Sequence, residues 1–283
     1  MFIHLRSGRS KRRLRLKEWT LLRRVSLGLL AVGCLVTILA SNFAGGGWRG
    51  VRHNGKALAA WEKDAVARVS DGSYEQLIRP EVQKMGPETF PFWLERLQAS
   101  DSLPRRCYFR LWQLLPPSLQ MRLPRPTPQR YRRMVMHLVL SHMPFVTNGI
   151  SELIRLSYSP DTELQGYAIH LLAYRAYIGY EPDAECIEAF CSALRAQDTL
   201  TRLWAVRGLN TLPVNPKGLP ALRMALLDPD EEVRVLAAVA LSKLEPSQAL
   251  IRIFETAATS SNHNARVISK VELANFRRRV TLE

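Results

Sequence analysis

Histidine and cysteine are the side chains of this 283-residue chain that could most readily bind a metal ion or act as nucleophiles. His137 and His142 are five residues apart, whereas two zinc ligands on one helix face occupy positions i and i+4. Cys186 and Cys191 are also five apart, so on a helix their side chains point roughly 140° away from each other. Small buried thiols explain Cys107, Cys186 and Cys191 better than a disulfide or a zinc site does. We therefore predict neither a metal ion nor a cofactor.

Paired carboxylates could act as a general acid and a general base. Glu231 with Glu232, and the acidic residues within 183–188, fall at predicted helix starts, where carboxylates cap backbone N–H groups and complement the helix dipole. Gly50–Ala57 nearly matches the phosphate-binding pattern GxxxxGK[ST], but Ala57 stands where the required hydroxyl belongs and no strand is predicted before it. The sequence therefore indicates no catalytic residue and no nucleotide site.

Arginine is concentrated in one segment, from Arg105 to Arg133, which contains no acidic residue. The arginines of this segment are Arg105, Arg106, Arg110, Arg122, Arg125, Arg130, Arg132 and Arg133. Five prolines in the same segment predict an extended insertion between two helices. One interpretation is a solvated basic loop. The other is an electrostatic docking surface for anionic lipid headgroups, an acidic protein or a nucleic acid.

The net charge of +15 is unevenly distributed along the chain. Residues 1–24 hold nine Lys and Arg against one Glu, whereas residues 146–283 hold fifteen basic and sixteen acidic side chains. The C-terminal half is thus electrically balanced, and the high overall pI does not by itself indicate nucleic-acid binding.

The candidate side chains described above would be positioned by the helices of a repeated unit. Residues 228–244 begin with a turn, Asp-Pro-Asp, and continue as a helix with apolar residues on two faces. The same twelve-residue pattern recurs at spacings of 37, 32 and 32 residues, with the first residues Asp161, Asp198, Asp230 and Asn262. Its eighth residue is always small and its twelfth is always Leu; its fifth is Arg in three copies, at Arg202, Arg234 and Arg266. A period of this length is typical of an α-solenoid.

Each copy is preceded by another apolar segment, so the repeated unit is two helices joined by a turn. The first helices are predicted at 150–156, 186–194, 219–227 and 250–257. Weaker upstream helices are predicted at 57–69, at 90–97 paired with 105–115, and at 129–140. The predicted fold is all-α, an α-α superhelix.

Pro220, Asp228, Val233 and Arg234 occupy the positions that such residues have in a HEAT repeat. The chain from about residue 88 to 280 resembles a bacterial HEAT-type solenoid of the armadillo-type fold. The resemblance implies a structural ladder between units, whose residues here would be Asp228, Arg202, Arg234 and Arg266. It also implies an extended surface that binds a protein or peptide.

An uncharged run at 25–44 follows the basic N-terminal residues. At 1.5 Å per residue it spans about 30 Å, the thickness of a bilayer core, and Trp19 and Trp48 flank it at interface positions. We therefore expect a single transmembrane helix that precedes the superhelix. A cleaved signal peptide, a lipoprotein signal at Cys34 and a buried soluble helix are the alternatives.

The charge distribution around this run predicts its orientation. By the positive-inside rule, residues 1–24 form a cytoplasmic tail, residues 45–56 a Gly-rich linker, and residues 57–283 a solenoid on the exported side of the cell membrane. On the exported side, the arginine segment would meet lipid or an acidic protein more readily than nucleic acid.

These features together predict a membrane-anchored, non-catalytic scaffold that binds a protein or peptide partner on the solenoid surface. Two alternatives remain. HEAT-like repeats are similar to those of lyases that act on tetrapyrroles, and a chain of reversed topology could bind nucleic acid through Arg105–Arg133. The sequence does not indicate an oligomeric state.

Overall fold

The structure is a computed structural model, and it describes residues 50–144, 149–211, 216–243 and 247–280. It is 73 % helix, as the repeats predict. The predicted cytoplasmic tail, the predicted transmembrane span and the glycines at 45–47 lie outside the described residues. Within the described ranges, no helix combines the length and the apolar composition that crossing a bilayer requires.

The α-helices of the described ranges are numbered here in chain order. They are α1 (Leu58–Ser70), α2 (Tyr74–Leu77), α3 (Arg79–Val82), α4 (Phe90–Gln98), α5 (Leu103–Leu114), α6 (Pro117–Gln120), α7 (Gln129–His142), α8 (Ile150–Ser157), α9 (Thr162–Tyr177), α10 (Ala184–Ala193), α11 (Thr199–Thr211), α12 (Leu219–Ala225), α13 (Glu231–Ser242), α14 (Gln248–Ala257) and α15 (His263–Val280).

A small β-hairpin that the sequence pattern did not predict precedes the first helix, at the end of the predicted Gly-rich linker 45–56. The rest of the regular structure in the described ranges is helical, as predicted. Strands β1 (Arg52–His53) and β2 (Lys56–Ala57) pair antiparallel, with Arg52 opposite Ala57. Between them Asn54 and Gly55 have φ of 49° and 73°. Two successive left-handed residues make the turn that matches the twist of a hairpin, and Asn-Gly is the pair that adopts it most readily. The Asn-Gly pair was therefore the signal that the sequence reading missed.

The chain divides into two compact units. The first comprises the described residues up to Asp71 together with Ala99–Val135, and so contains the hairpin, α1, α5, α6 and the start of α7. The second comprises Gly72–Gln98 and the described residues from Met136 onward. The segments now seen as α4 and α5, which the sequence suggested as one repeat pair, fall into different units.

Four helix pairs follow one another in the second unit: α8 with α9, α10 with α11, α12 with α13, and α14 with α15. Each second helix packs against the next second helix along the chain. The small eighth residue of the repeated pattern is 0 % exposed in every copy, at Ala168, Ala205, Ala237 and Ser269. A small side chain at this position lets neighbouring helices approach closely.

The first residue of the repeated pattern fixes where each second helix begins. Its side-chain oxygen accepts the backbone N–H of the residue three positions on, at 2.8 to 3.3 Å. The capping residues are Asp161, Asp198, Asp230 and Asn262. Each bond satisfies a backbone donor that the first turn of a helix otherwise leaves unpaired.

Candidate interaction surfaces

The eight arginines predicted as a docking surface occupy different environments. Five are exposed, namely Arg106, Arg110, Arg122, Arg125 and Arg130. Arg105 is half-buried. Arg133 is only 7 % exposed, and Arg132 binds carboxylates inside the first unit. Arg132 and Arg133 therefore differ from the five exposed arginines, because their side chains are largely buried and the guanidinium of Arg132 is bound to carboxylates.

Arg132 joins the start of α7 to two other parts of the first unit. Its guanidinium lies 3.1 Å from a carboxylate oxygen of Glu62 in α1 and 3.3 Å from one of Asp101. The three side chains are 14 to 16 % exposed. The neighbouring Tyr131 donates its hydroxyl to the carbonyl of Val66 at 3.3 Å. These bonds hold α7 against α1, so the role of Arg132 is structural.

A cleft of about 730 Å³ opens in the first unit beside the Pro-rich segment. Val66 of α1 lines it on one side, and Tyr108 and Phe109 of α5 line it on another. The Tyr108 hydroxyl donates to the carbonyl of Pro124 at 2.6 Å, which fixes the Pro-rich segment in place. Burial raises the pKa of Tyr108, so it stays a donor. With exposed Arg125 at its edge, the cleft offers an apolar lining and positive charge.

Of the predicted ladder residues, the structure brings Arg202 and Asp228 together. The guanidinium of Arg202 in α11 reaches the Asp228 carboxylate, which precedes α13, at 2.8 and 3.1 Å. Arg202 thereby links the second helix pair to the third. The hydrogen bond to Asp228 raises the pKa of Arg202.

The fifth-position arginines share a second role that the sequence reading missed. Each donates from Nη1 to two carbonyls of the turn before its own helix, at 2.6 to 3.3 Å. The bonds run from Arg202 to Ala196 and Gln197, from Arg234 to Asp228 and Pro229, and from Arg266 to Ser260 and Ser261. The residue aligned with Asp228 in the fourth pair is Ser260, which has no carboxylate for Arg234. Arg234 and Arg266 therefore bind their own turns.

A row of aromatic and polar side chains runs from α7 across the second helices of the second unit. We call it the second-helix row; its members are His137, Tyr167, His170, Tyr174, Trp204, Arg207, Glu232 and Asn264. The His137 ring stacks on Tyr167 with centroids 4.6 Å apart, and its Nε2 lies 2.5 Å from Nδ1 of His170. The rings of Trp204 and His170 meet edge to face with centroids 4.0 Å apart. Successive helices therefore contact one another through rings.

The row continues toward the C-terminus through charged groups. Arg207 lies over the Trp204 ring, 4.7 Å from its centroid, and binds Glu232 at 2.8 Å. The Asn264 amide donates to the other oxygen of Glu232 at 3.0 Å. Glu232 is 6 % exposed, whereas the side chain of Arg207 is 38 % exposed. The guanidinium thus satisfies a buried carboxylate and still presents a face to solvent.

Both histidines of the row are uncharged at neutral pH. Burial lowers the pKa of His137 to about 3, with smaller contributions from His170 and His142. Burial also lowers the pKa of His170 to about 4, and the charge of Arg207 adds to this shift. A neutral pair can share one hydrogen bond, because one ring nitrogen donates and the other accepts. In the described residues, no group of three or more His, Cys, Asp and Glu side chains could hold a metal ion.

The repeated pattern contained the signal for this row. Tyr167 and Trp204 are the seventh residues of their copies, and His170 and Arg207 are the tenth. Residues one repeat apart on successive second helices become neighbours in the stack. Histidine spacings within one helix do not reveal this row, because its rings come from different helices.

Comparison with known proteins agrees with this architecture. A family model described as HEAT repeats matches residues 150–242 and, in an overlapping match, 187–269. The matching model and the stacked helix pairs together support a HEAT-type α-solenoid in this part of the chain. The matched range begins at α8 and ends within α15, so it contains the first three stacked pairs and part of the fourth. No curated protein matches the chain.

Proposed function

We propose that this protein is a membrane-anchored, non-catalytic scaffold whose HEAT-type solenoid binds a protein or peptide through the second-helix row. One observation carries the proposal: rings and charged groups of successive second helices contact one another and stay partly accessible. Trp, Tyr and Arg are the residues that contribute most binding energy at protein interfaces. HEAT repeats commonly mediate protein interactions, which supports this assignment.

The contacts within the row fix its side chains before a partner arrives. Trp204 lies between His170 and Arg207, and Arg207 is held by Glu232. A surface ordered in this way loses little side-chain entropy on binding. Because the two imidazoles are neutral, a partner can cover them without the cost of burying a charge.

The proposed anchor is the uncharged run 25–44, with the basic N-terminal tail in the cytoplasm and the solenoid on the exported side. The length of the run, its flanking tryptophans and the charge asymmetry around it support this part of the proposal. An exported solenoid would meet proteins and lipids rather than nucleic acid.

A photo-crosslinking amino acid at Tyr174 tests the partner site. Tyr174 is a half-buried member of the row, and Tyr158, at the end of first helix α8, is a matched aromatic control that is 51 % exposed. We expect a discrete crosslinked protein from position 174 that is absent from position 158. Adding Arg207→Gln should weaken that crosslink. Equal crosslinking from both positions, or none from position 174, would contradict the proposed site.

Protease accessibility tests the orientation. We expect a protease to reach the solenoid while the cytoplasmic membrane is intact, and alkaline extraction to leave the full-length chain in the membrane fraction. Digestion only after the cytoplasmic membrane is broken would reverse the topology, and release by alkali would reject the anchor.

A further inference from the structure

Helix α5 carries a mixed apolar and basic stripe on its exposed face. Leu103, Arg106, Arg110 and Leu114 follow at i, i+3, i+7 and i+11, so they lie along one side of the helix. All four are exposed, Leu103 by 66 % and Leu114 by 83 %. Tyr108, which lies off this stripe, is buried in the first unit. A solvent-facing stripe of leucines and arginines is the pattern of a helix that lies on a membrane surface.

The chain just beyond α5 exposes side chains of the same two kinds. Gln120 donates from Nε2 to the carbonyls of Trp112 and Leu115, at 3.0 and 2.9 Å, which folds α6 back against the end of α5. Met121 follows directly and is 83 % exposed, beside the exposed Arg122. Long apolar and basic side chains therefore point to solvent together at both the helix and the turn.

We propose that this surface, the α5 face, rests on the anionic lipid headgroups of the membrane that holds the anchor. Its members are Leu103, Arg106, Cys107, Arg110, Leu114, Met121 and Arg122. The inference rests on the proposed anchoring through 25–44. Arginines would bind lipid phosphates, while the leucines and Met121 would enter the boundary between headgroups and acyl chains.

The position of the α5 face in the chain favours a membrane as its occupant. The proposed span ends at residue 44, and Gly50 already belongs to the same unit as α5. The chain between them can reach at most about 20 Å, so the first unit stays close to the bilayer surface. Such confinement raises the effective concentration of the α5 face at the headgroups.

The charge and the apolar content of the α5 face select an anionic bilayer. No acidic residue occurs from 105 to 133, which matches phosphatidylglycerol or another anionic lipid. A nucleic acid would bind the arginines but leave Leu103, Leu114 and Met121 in water. The experiment described next distinguishes a lipid surface from an acidic protein partner.

Cys107 gives a native probe of this contact. It is exposed, which corrects the prediction of a buried thiol at this position, and it lies between Arg106 and Arg110 on the α5 face. Half-buried Cys191 of α10 provides an internal reference in the second unit. The full-length chain is placed in lipid nanodiscs of phosphatidylcholine alone or with phosphatidylglycerol. Modification of each cysteine by a polymer-linked maleimide is then followed by peptide mass spectrometry.

We expect Cys107 to react about five-fold more slowly on the anionic discs than on the neutral discs, because lipid covers the α5 face. Cys191 should react at one rate on both. A bimane fluorophore attached at Cys107 should also be quenched by spin-labelled lipid on the anionic discs. The triple variant R106Q/R110Q/R122Q should lose the lipid dependence, and Arg252→Gln, an exposed change in α14, should keep it.

The possible outcomes separate the proposed membrane anchor from the proposed lipid contact of the α5 face. Release of the chain by alkali would reject the anchor and the lipid contact together. A chain that stays in the membrane but whose Cys107 reacts equally on both lipids, without quenching, would overturn the lipid contact alone. Protection of Cys107 by an added protein on neutral discs, with no effect of anionic lipid, would assign the α5 face to a protein partner instead.

Discussion

Arg202 and Asp228 form a bidentate ion pair between successive helix pairs of the solenoid, with side chains only 10 % and 6 % exposed. The same Asp228 carboxylate accepts the backbone N–H of Asp230 at 2.8 Å. One carboxylate therefore shapes the turn of its own unit and binds the guanidinium of the preceding unit. Local turn formation and stacking depend on one side chain.

We expect Asp228→Ala to destabilise the solenoid by about 3 kcal/mol, because it leaves a largely buried guanidinium without its carboxylate. The remaining bonds of Arg202 to the carbonyls of Ala196 and Gln197 limit the loss. Chemical denaturation of the full-length chain in detergent, followed by circular dichroism, measures the change.

Ser260→Ala is the matched control, because Ser260 is the residue aligned with Asp228 in the next unit. The Ser260 hydroxyl donates to Glu231 and accepts the backbone N–H of Asn262. Unlike Asp228, it offers no carboxylate to an arginine. We expect its replacement to cost about 1 kcal/mol. Equal losses for the two variants would show that the Arg202 pair contributes nothing beyond the turn.

Gly208 in the middle of α11 is required by Phe190. A Cβ atom built at Gly208 would lie 2.5 to 2.8 Å from three ring atoms of Phe190, a side chain that is 0 % exposed. Gly208→Ala should therefore lower the thermal unfolding midpoint, although Ala is favoured over Gly in a helix by about 1 kcal/mol. Differential scanning calorimetry of the full-length chain tests this sign.

The double variant G208A/F190L identifies the cause. Phe190→Leu alone should destabilise because it leaves a cavity, but together the two changes should cost less than the sum of their single effects by about 1 kcal/mol. Strict additivity would mean that the ring does not limit the space at Gly208.

The second-helix row predicts a loss of stability in acid. Burial keeps His137 and His170 neutral in the folded chain, with pKa values of about 3 and about 4, whereas the unfolded chain binds protons near pH 6.5. Well above pH 6.5 both histidines are neutral in the folded and the unfolded chain, so they do not change stability with pH. As the pH falls from there toward the folded pKa values, the unfolded state gains protons that the folded state does not, and stability decreases.

We expect the free energy of unfolding to fall by about 1.4 kcal/mol per pH unit for each histidine between roughly pH 6 and 5. Urea titrations across this range measure it for the full-length chain. His170→Gln should remove the contribution of one histidine to this pH dependence. That expectation holds whatever the substitution does to stability at pH 7. An unchanged slope would contradict a neutral, buried His170.

The helix pairs of the second unit were predictable because their signals are local or strictly periodic. Asp198 and Asp230 cap the helices that the repeated pattern places after them, and the small eighth residues are buried. The family model independently matches the same range. Capping and helix periodicity depend on residues a few positions apart, so one sequence is enough to detect them.

The interaction surfaces were harder to predict because they depend on distant residues. Arg132 and Arg125 are seven positions apart in the same basic segment, yet one binds Glu62 and Asp101 and the other is exposed at the cleft. The distribution of charge along the chain does not distinguish these two arginines. Only the packing of α1 against α7, some seventy residues later in sequence, separates their roles.

The contrast between these two arginines gives a last prediction. Arg132→Gln removes the charge-assisted bonds to Glu62 and Asp101, two carboxylates of low exposure. We expect the first unit to lose about 2 kcal/mol, seen as faster amide hydrogen exchange in α1 of the full-length chain. Arg125→Gln makes the same change of charge at an exposed site, so exchange in α1 should not change. If both variants accelerate exchange equally, the effect is one of net charge, and the structural role assigned to Arg132 is wrong.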